Sequence, residues 1–209
     1  MPTHKEIENA AMIVEALVEY GLVDNLQQYV ATEWYEESHL YDAGYSMSGG
    51  ATKLCIFHDS LYDWVIKVGY TKMKYDYAEK EFQIYNEAVG AGLEEYFPKM
   101  FYLGTFGGRP FYLQELADCC EEEITSNWYE RLCDINEETG EYEYYVNNDM
   151  LWDLVYDLCD YERLDLLFGS CTLAKFFDDR HIGDFHEGNF GYIGDRCVIV
   201  DFAGWRERD

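Results

Sequence analysis

The chain has 209 residues, 48% of them hydrophobic, and a formal charge of −27. That apolar share is enough for one folded domain of two lobes with a real core. The charge argues against nucleic-acid binding through phosphates, which needs basic patches, and no apolar run reaches the roughly 18 residues of a membrane span.

The first helix is expected over His4 to Leu22, with apolar residues at Ile7, Ala10/Ala11, Val14 and Leu17/Val18 in helical period. Its start, Met1-Pro-Thr-His-Lys5, lacks the apolar core of a secretory signal. A second helix is expected over Val23 to Leu40. Both would pack on the small lobe or serve as a partner surface, and the lone His4 and His39 read as structural. The seven cysteines (55, 119, 120, 133, 159, 171 and 197) form no CxxC pair and no zinc spacing. An odd set on apolar positions reads as reduced thiols in a cytoplasmic protein.

Tyr45 to Val68 reads as strands. Gly49-Gly50 lies between Met47 and the β-like run Lys53 to Phe57; His58 to Asp63 turns the chain, and Trp64-Val-Ile-Lys-Val68 returns. Lys67 is thus an ammonium inside an apolar strand. It is costly to bury without an anionic partner, unless the strand lies at an edge and the side chain points outward. The next helix is expected over Tyr75 to Val89, with a stripe at Ala78, Phe82, Tyr85 and Ala88/Val89. Glu81 shares that inward face, and Glu79 would replace it if the helix started two residues away.

Phe97 to Leu103 and Phe111 to Glu115 read as an antiparallel pair around Gly107-Gly108. From Asp118 to Asp165 the chain is strongly acidic, with Glu137 to Glu141 as a turn or hairpin tip. Met150 to Cys159 and Leu164 to Phe177 read as helices. The acidic surface is either a solvated face or one suited to a basic protein or polycation.

The last quarter carries Gly183-Asp-Phe-His-Glu-Gly-Asn189, then Phe190-Gly-Tyr192, a turn at Gly194-Asp195, and Cys197-Val-Ile-Val-Asp-Phe-Ala-Gly204. A hairpin folded this way would bring Asp184, Asn189 and Asp201 to one end of a sheet. Two carboxylates and an amide oxygen are hard oxygen ligands of the kind Mg²⁺ takes beside phosphates. A loop carboxylate can also orient a hydroxyl and accept its proton.

This constellation resembles the active-site core of the protein-kinase-like superfamily, in its aminoglycoside phosphotransferase and choline kinase branch with bacterial and phage relatives. There the loop reads like Gly-Asp-Leu-His-x-Gly-Asn; Ile182 stands where many members have His, and Asp201-Phe-Ala-Gly204 carries one residue more than Asp-Phe-Gly. The resemblance implies an α+β, two-lobed fold. N-terminal helices (1–43) would precede an antiparallel N-lobe (44–116) and a reduced helical C-lobe (117–209). It implies ATP and Mg²⁺ as cofactors. Lys67, held by Glu81, would grip the α/β-phosphates, Gly49 and Gly50 would cover them, and Leu116 would meet the base through its backbone. Tyr112, Leu113 and Ile66 would help wall the base, though each is equally at home in an ordinary core; Asn189 and Asp201 would hold the metal, and Asp184 would act as base.

After Gly204 only Trp205 to Asp209 remain, where the resemblance expects an activation segment and acceptor-holding helices. The N-terminal helices or a partner protein would then replace them. The other expectation is a catalytically inactive, acidic binding protein on the same fold, such as a phage-type DNA mimic seated in the basic channel of a nuclease.

Overall fold

The computed structural model describes residues 1–19, 39–50, 52–119, 133–135, 142–144, 176, 179–180 and 189–203. It is an α+β protein that divides into two compact units, 1–94 with 98–116, and 95–97 with 117–209. The helices expected at Val23 to Leu40, Met150 to Cys159 and Leu164 to Phe177 fall wholly or largely outside the described residues, as does Asp184.

The first unit opens with helix α1, His4–Glu19. Thr3 and Glu6 start it as a capping box: the Glu6 amide donates to Thr3 Oγ1 at 3.3 Å, and the Thr3 hydroxyl donates to Glu6 Oε2 at 2.7 Å. Two of the amides that a helix start leaves without an intrahelical partner are thereby satisfied, because the Thr3 amide also reaches Glu6. A four-residue helix, α2 (His39–Asp42), precedes the sheet.

The sheet comprises β1 (Tyr45–Gly49), β2 (Lys53–His58), β3 (Trp64–Gly69), β4 (Met100–Phe106) and β5 (Arg109–Glu115). Its order is β1-β2-β3-β5-β4, antiparallel throughout. The β4–β5 turn is Gly107-Gly108 with φ of 56° and 78°. Two consecutive left-handed residues match the twist of a tight hairpin, and glycine takes that conformation without a Cβ penalty. Helix α3, Tyr77–Gly90, crosses between β3 and β4; Asp76 caps it by accepting from the Glu79 amide at 3.0 Å.

Strand alternation divides this sheet into two faces. On one face Leu54, Ile56, Trp64, Ile66, Val68, Phe111 and Leu113 form a core with Ala10, Ile13, Val14 and Leu17 of α1. On the other face lies α3, where the Phe82 and Tyr112 rings stand 5.1 Å apart.

In the second unit β9 (Phe190–Ile193) and β10 (Arg196–Ile199) form a hairpin, with Gly194 at φ 61° in the turn. Strand β6 (Asp118–Cys119) pairs with β9. Strands β7 (Cys133–Ile135) and β8 (Tyr142–Tyr144) pair antiparallel on either side of the expected turn at Glu137 to Glu141, which is itself outside the described residues. The Phe97 ring packs 4.8 Å from Phe202 and 6.0 Å from Phe176, while Arg196 donates to the Phe97 carbonyl at 3.1 Å. No described helix is long and apolar enough to cross a membrane.

Candidate functional site

Lys67 occupies β3, a strand buried at every position. Its ammonium donates to Glu81 Oε2 at 3.0 Å, with the lysine 4% and the glutamate 0% exposed. The helix phase explains the choice of carboxylate. Tyr77, Ala78, Glu81, Ile84, Tyr85 and Ala88 are the buried side of α3, while Glu79 is exposed and accepts from Gln83. Val89, expected on the inward stripe, is 44% exposed.

A second ammonium, which the sequence reading does not anticipate, joins this pair. Lys53, 3% exposed, places Nζ 3.6 Å from the same Glu81 oxygen. Cys55 stands opposite Lys67 in the ladder, so Lys53, two residues along β2, shares the face of Lys67. The signal that could have found it is spacing: Lys53, Cys55 and Phe57 alternate with the core residues Leu54 and Ile56.

Tyr112 stands opposite Lys67 on β5, and Gln114 stands opposite Val65. Burial, then the negative charges of Glu79 and Asp76 and the neighbouring Tyr102, raise the Tyr112 phenol well above its usual range, so it stays protonated. Gln114 is 2% exposed, and its Oε1 is buried without a hydrogen-bond partner among the described residues. Ile66 and Leu113, expected to wall a nucleotide base, instead face α1 within the core. The positions on the Lys67 face are Val65 and Gln114, displaced by one residue in each strand.

Gly49 is the last residue of β1, paired with Leu54, and Gly50 begins the turn to β2, its amide donating to the Lys53 carbonyl at 3.1 Å. Among the described residues a Cβ on Gly50 would meet only that carbonyl, at 3.9 Å, and its φ is not positive. The turn itself therefore does not require glycine at this position. The Leu116 amide, expected to meet a base, donates to the Asp63 carbonyl at 2.9 Å.

In the second unit the β9–β10 ladder continues one step past Phe190: the Val200 amide donates to the Asn189 carbonyl at 2.8 Å. Asn189 and Asp201 consequently lie at the same end of the hairpin, opposite the Gly194-Asp195 turn. Asn189 is buried, Asp201 is half-buried, and the adjoining Phe202 is anchored against Phe97. An amide oxygen and a carboxylate oxygen are a donor set that suits a hard divalent cation completing its sphere with other oxygens. Among the described residues no group of three or more His, Cys, Asp or Glu side chains could hold a metal by itself.

No family model matches the chain, and no curated protein matches it.

Proposed function

We propose that the protein is a kinase-like phosphotransferase that moves the γ-phosphate of ATP, with Mg²⁺, to a hydroxyl of a protein or small molecule. The observation that carries this reading is the buried Lys67–Glu81 pair. A buried ion pair is poor at stabilising a fold, since apolar side chains of similar size do as well or better. A strand lysine held in place by a helix carboxylate is, however, well suited to present a fixed ammonium to phosphate oxygens. The Gly50 turn supports the reading: glycine there is not required by backbone conformation, but it would let a ligand approach the main chain closely.

In this mechanism Lys67 orients the phosphates and offsets their charge, and Glu81 fixes the lysine. Asn189 and Asp201 would hold Mg²⁺, which supplies charge neutralisation at the transferring group. Asp184 orients the acceptor hydroxyl and takes its proton. Positioning and charge stabilisation account for most of the acceleration in such reactions.

The test is thermal unfolding with ATP, with and without Mg²⁺. A ligand that binds only the folded state raises the midpoint. A metal-dependent rise that Asp201→Ala abolishes is the expected result, followed by transfer of labelled γ-phosphate. The charge of −27 favours a second reading, an acidic binding protein that occupies a basic groove. Absence of any nucleotide-induced rise, together with salt-sensitive capture of a basic protein, would establish that one instead.

A further inference from the structure

We infer that Gln114 reads the nucleotide base, its side-chain oxygen accepting from the exocyclic amino group of adenine. This rests on the phosphotransferase reading. Gln114 Oε1 is buried and has no hydrogen-bond partner among the described residues, in a side chain only 2% exposed. Such an acceptor costs stability until a donor reaches it, so a donor carried by a ligand would bind there at an advantage. The main-chain donors that follow it are already committed: the Glu115 amide donates to the Lys99 carbonyl and the Leu116 amide to the Asp63 carbonyl, each at 2.9 Å. The Leu116 amide is thus not the group that would recognise a base here, and recognition falls to the Gln114 side chain.

The ladder sets the order of contacts along the face that carries Lys67. Lys53, the first residue of β2 after the turn that Gly50 begins, stands opposite Gly69; Cys55 stands opposite Lys67; and Val65, two residues further along β3, stands opposite Gln114. Residues two apart in a strand share a face, so Val65 and Gln114 continue the face of Lys67 away from the Gly50 turn. A nucleotide whose phosphates lie under that turn and reach Lys67 therefore directs its base toward Val65 and Gln114. Val65 offers an apolar wall, and Gln114 offers the acceptor beside it. A glutamine amide pairs well with the amino group of adenine. Guanine has a carbonyl oxygen at the same place and would set a second acceptor against the first, so the site favours adenine.

The experiment titrates the full chain with ATP, GTP and purine riboside triphosphate, which carries hydrogen where ATP has its amino group, and repeats this on Gln114→Met. The wild type should bind ATP about tenfold more tightly than the des-amino analogue, as for one hydrogen bond, and GTP no better than the analogue. Gln114→Met should bring ATP down to the level of the analogue and leave the analogue where it was. A glutamine with a purely structural role would move all three nucleotides together and keep their ratios, and that outcome overturns the inference while leaving the phosphotransferase reading intact. Equal wild-type affinity for ATP and the analogue overturns it as well, with no variant needed. Should Gln114→Met not fold, Gln114→Leu removes the same oxygen and takes its place. A wild type that binds none of the three removes the nucleotide reading and the inference with it.

Discussion

Trp64 Nε1 donates to Glu6 Oε1 at 3.1 Å, joining the first turn of α1 to the start of β3 across 58 residues of chain. The carboxylate that caps the helix thus also fastens it to the sheet. Hydrogen bonds from the Thr3 side chain, then from its backbone, with a smaller share from Trp64, hold the Glu6 carboxyl below its ordinary value of 4.5. A depressed carboxyl stabilises the fold above its unfolded value, and that contribution is lost as pH falls through the lower, folded value. Glu6→Gln should therefore be less stable than the wild type near neutrality, and the gap should close as pH drops below 4.5. Urea midpoints for both proteins, taken across that range, check this; a gap that widens on acidification contradicts it.

Glu81 is the second point at which the first unit should be sensitive. Truncating one member of a buried ion pair costs about 3–5 kcal/mol, because the remaining charge stays in the interior. Asp76 caps the same helix and provides the scale, since loss of an N-cap costs about 1 kcal/mol. Urea denaturation of Glu81→Ala and Asp76→Ala should show the former several times more damaging. Equal losses would mean that the pair contributes no more than an ordinary helix cap.

The helix phase of 77–90 is written in Ala78, Tyr85 and Ala88, and it brings Glu81 inward, although the stripe read from the sequence takes in the exposed Val89 and passes over the buried Ile84. The hairpin that leads to Asp201 is written in Gly194-Asp195 and the apolar run Cys197 to Val200. The faces of β3 could not be read in the same way. Every residue of that strand is buried, so apolar alternation vanishes and gives no sign that Ile66 turns toward α1 while Val65 and Lys67 turn toward α3. Lys53 is a related case: alternation with Leu54 and Ile56 assigns its face, but a lysine at the start of a strand ordinarily points to solvent, and its burial comes from the tertiary packing. The tether from Glu6 to Trp64 joins residues far apart in sequence, which no local pattern encodes.

In the second unit Gly191 should be intolerant of any side chain. A Cβ there would lie 2.9 Å from the Asp118 carbonyl oxygen and 3.0 Å from Ala117 Cβ, so β6 and β9 would have to part. Overpacking of this kind costs about 1–3 kcal/mol. Gly194 is a different case: its φ of 61° is left-handed, but no atom of the described residues lies within 4 Å of an added Cβ. Asparagine accepts that conformation readily. Gly191→Ala should accelerate amide exchange in β6 and β9, whereas Gly194→Asn should leave both protected. Protection that survives Gly191→Ala would show that the strands can separate without loss.

The buried Gln114 carbonyl oxygen leads to the final prediction, in which stability and ligand binding should move in opposite directions. A buried acceptor without a donor costs about 1–3 kcal/mol relative to one that is satisfied, and Gln114 Oε1 is in that state between Val65 and Met100 of the neighbouring strands. Methionine has nearly the same shape and no polar atom to satisfy, so Gln114→Met should raise the unfolding midpoint of the ligand-free protein. If a nucleotide base supplies the donor, the bound wild type recovers that free energy and the variant does not. Midpoints measured with saturating ATP should then show the advantage of Gln114→Met shrinking or reversing. An advantage that persists unchanged with ATP separates Gln114 from the ligand. A variant less stable from the outset would mean that the oxygen already has a donor in solution, such as an ordered water.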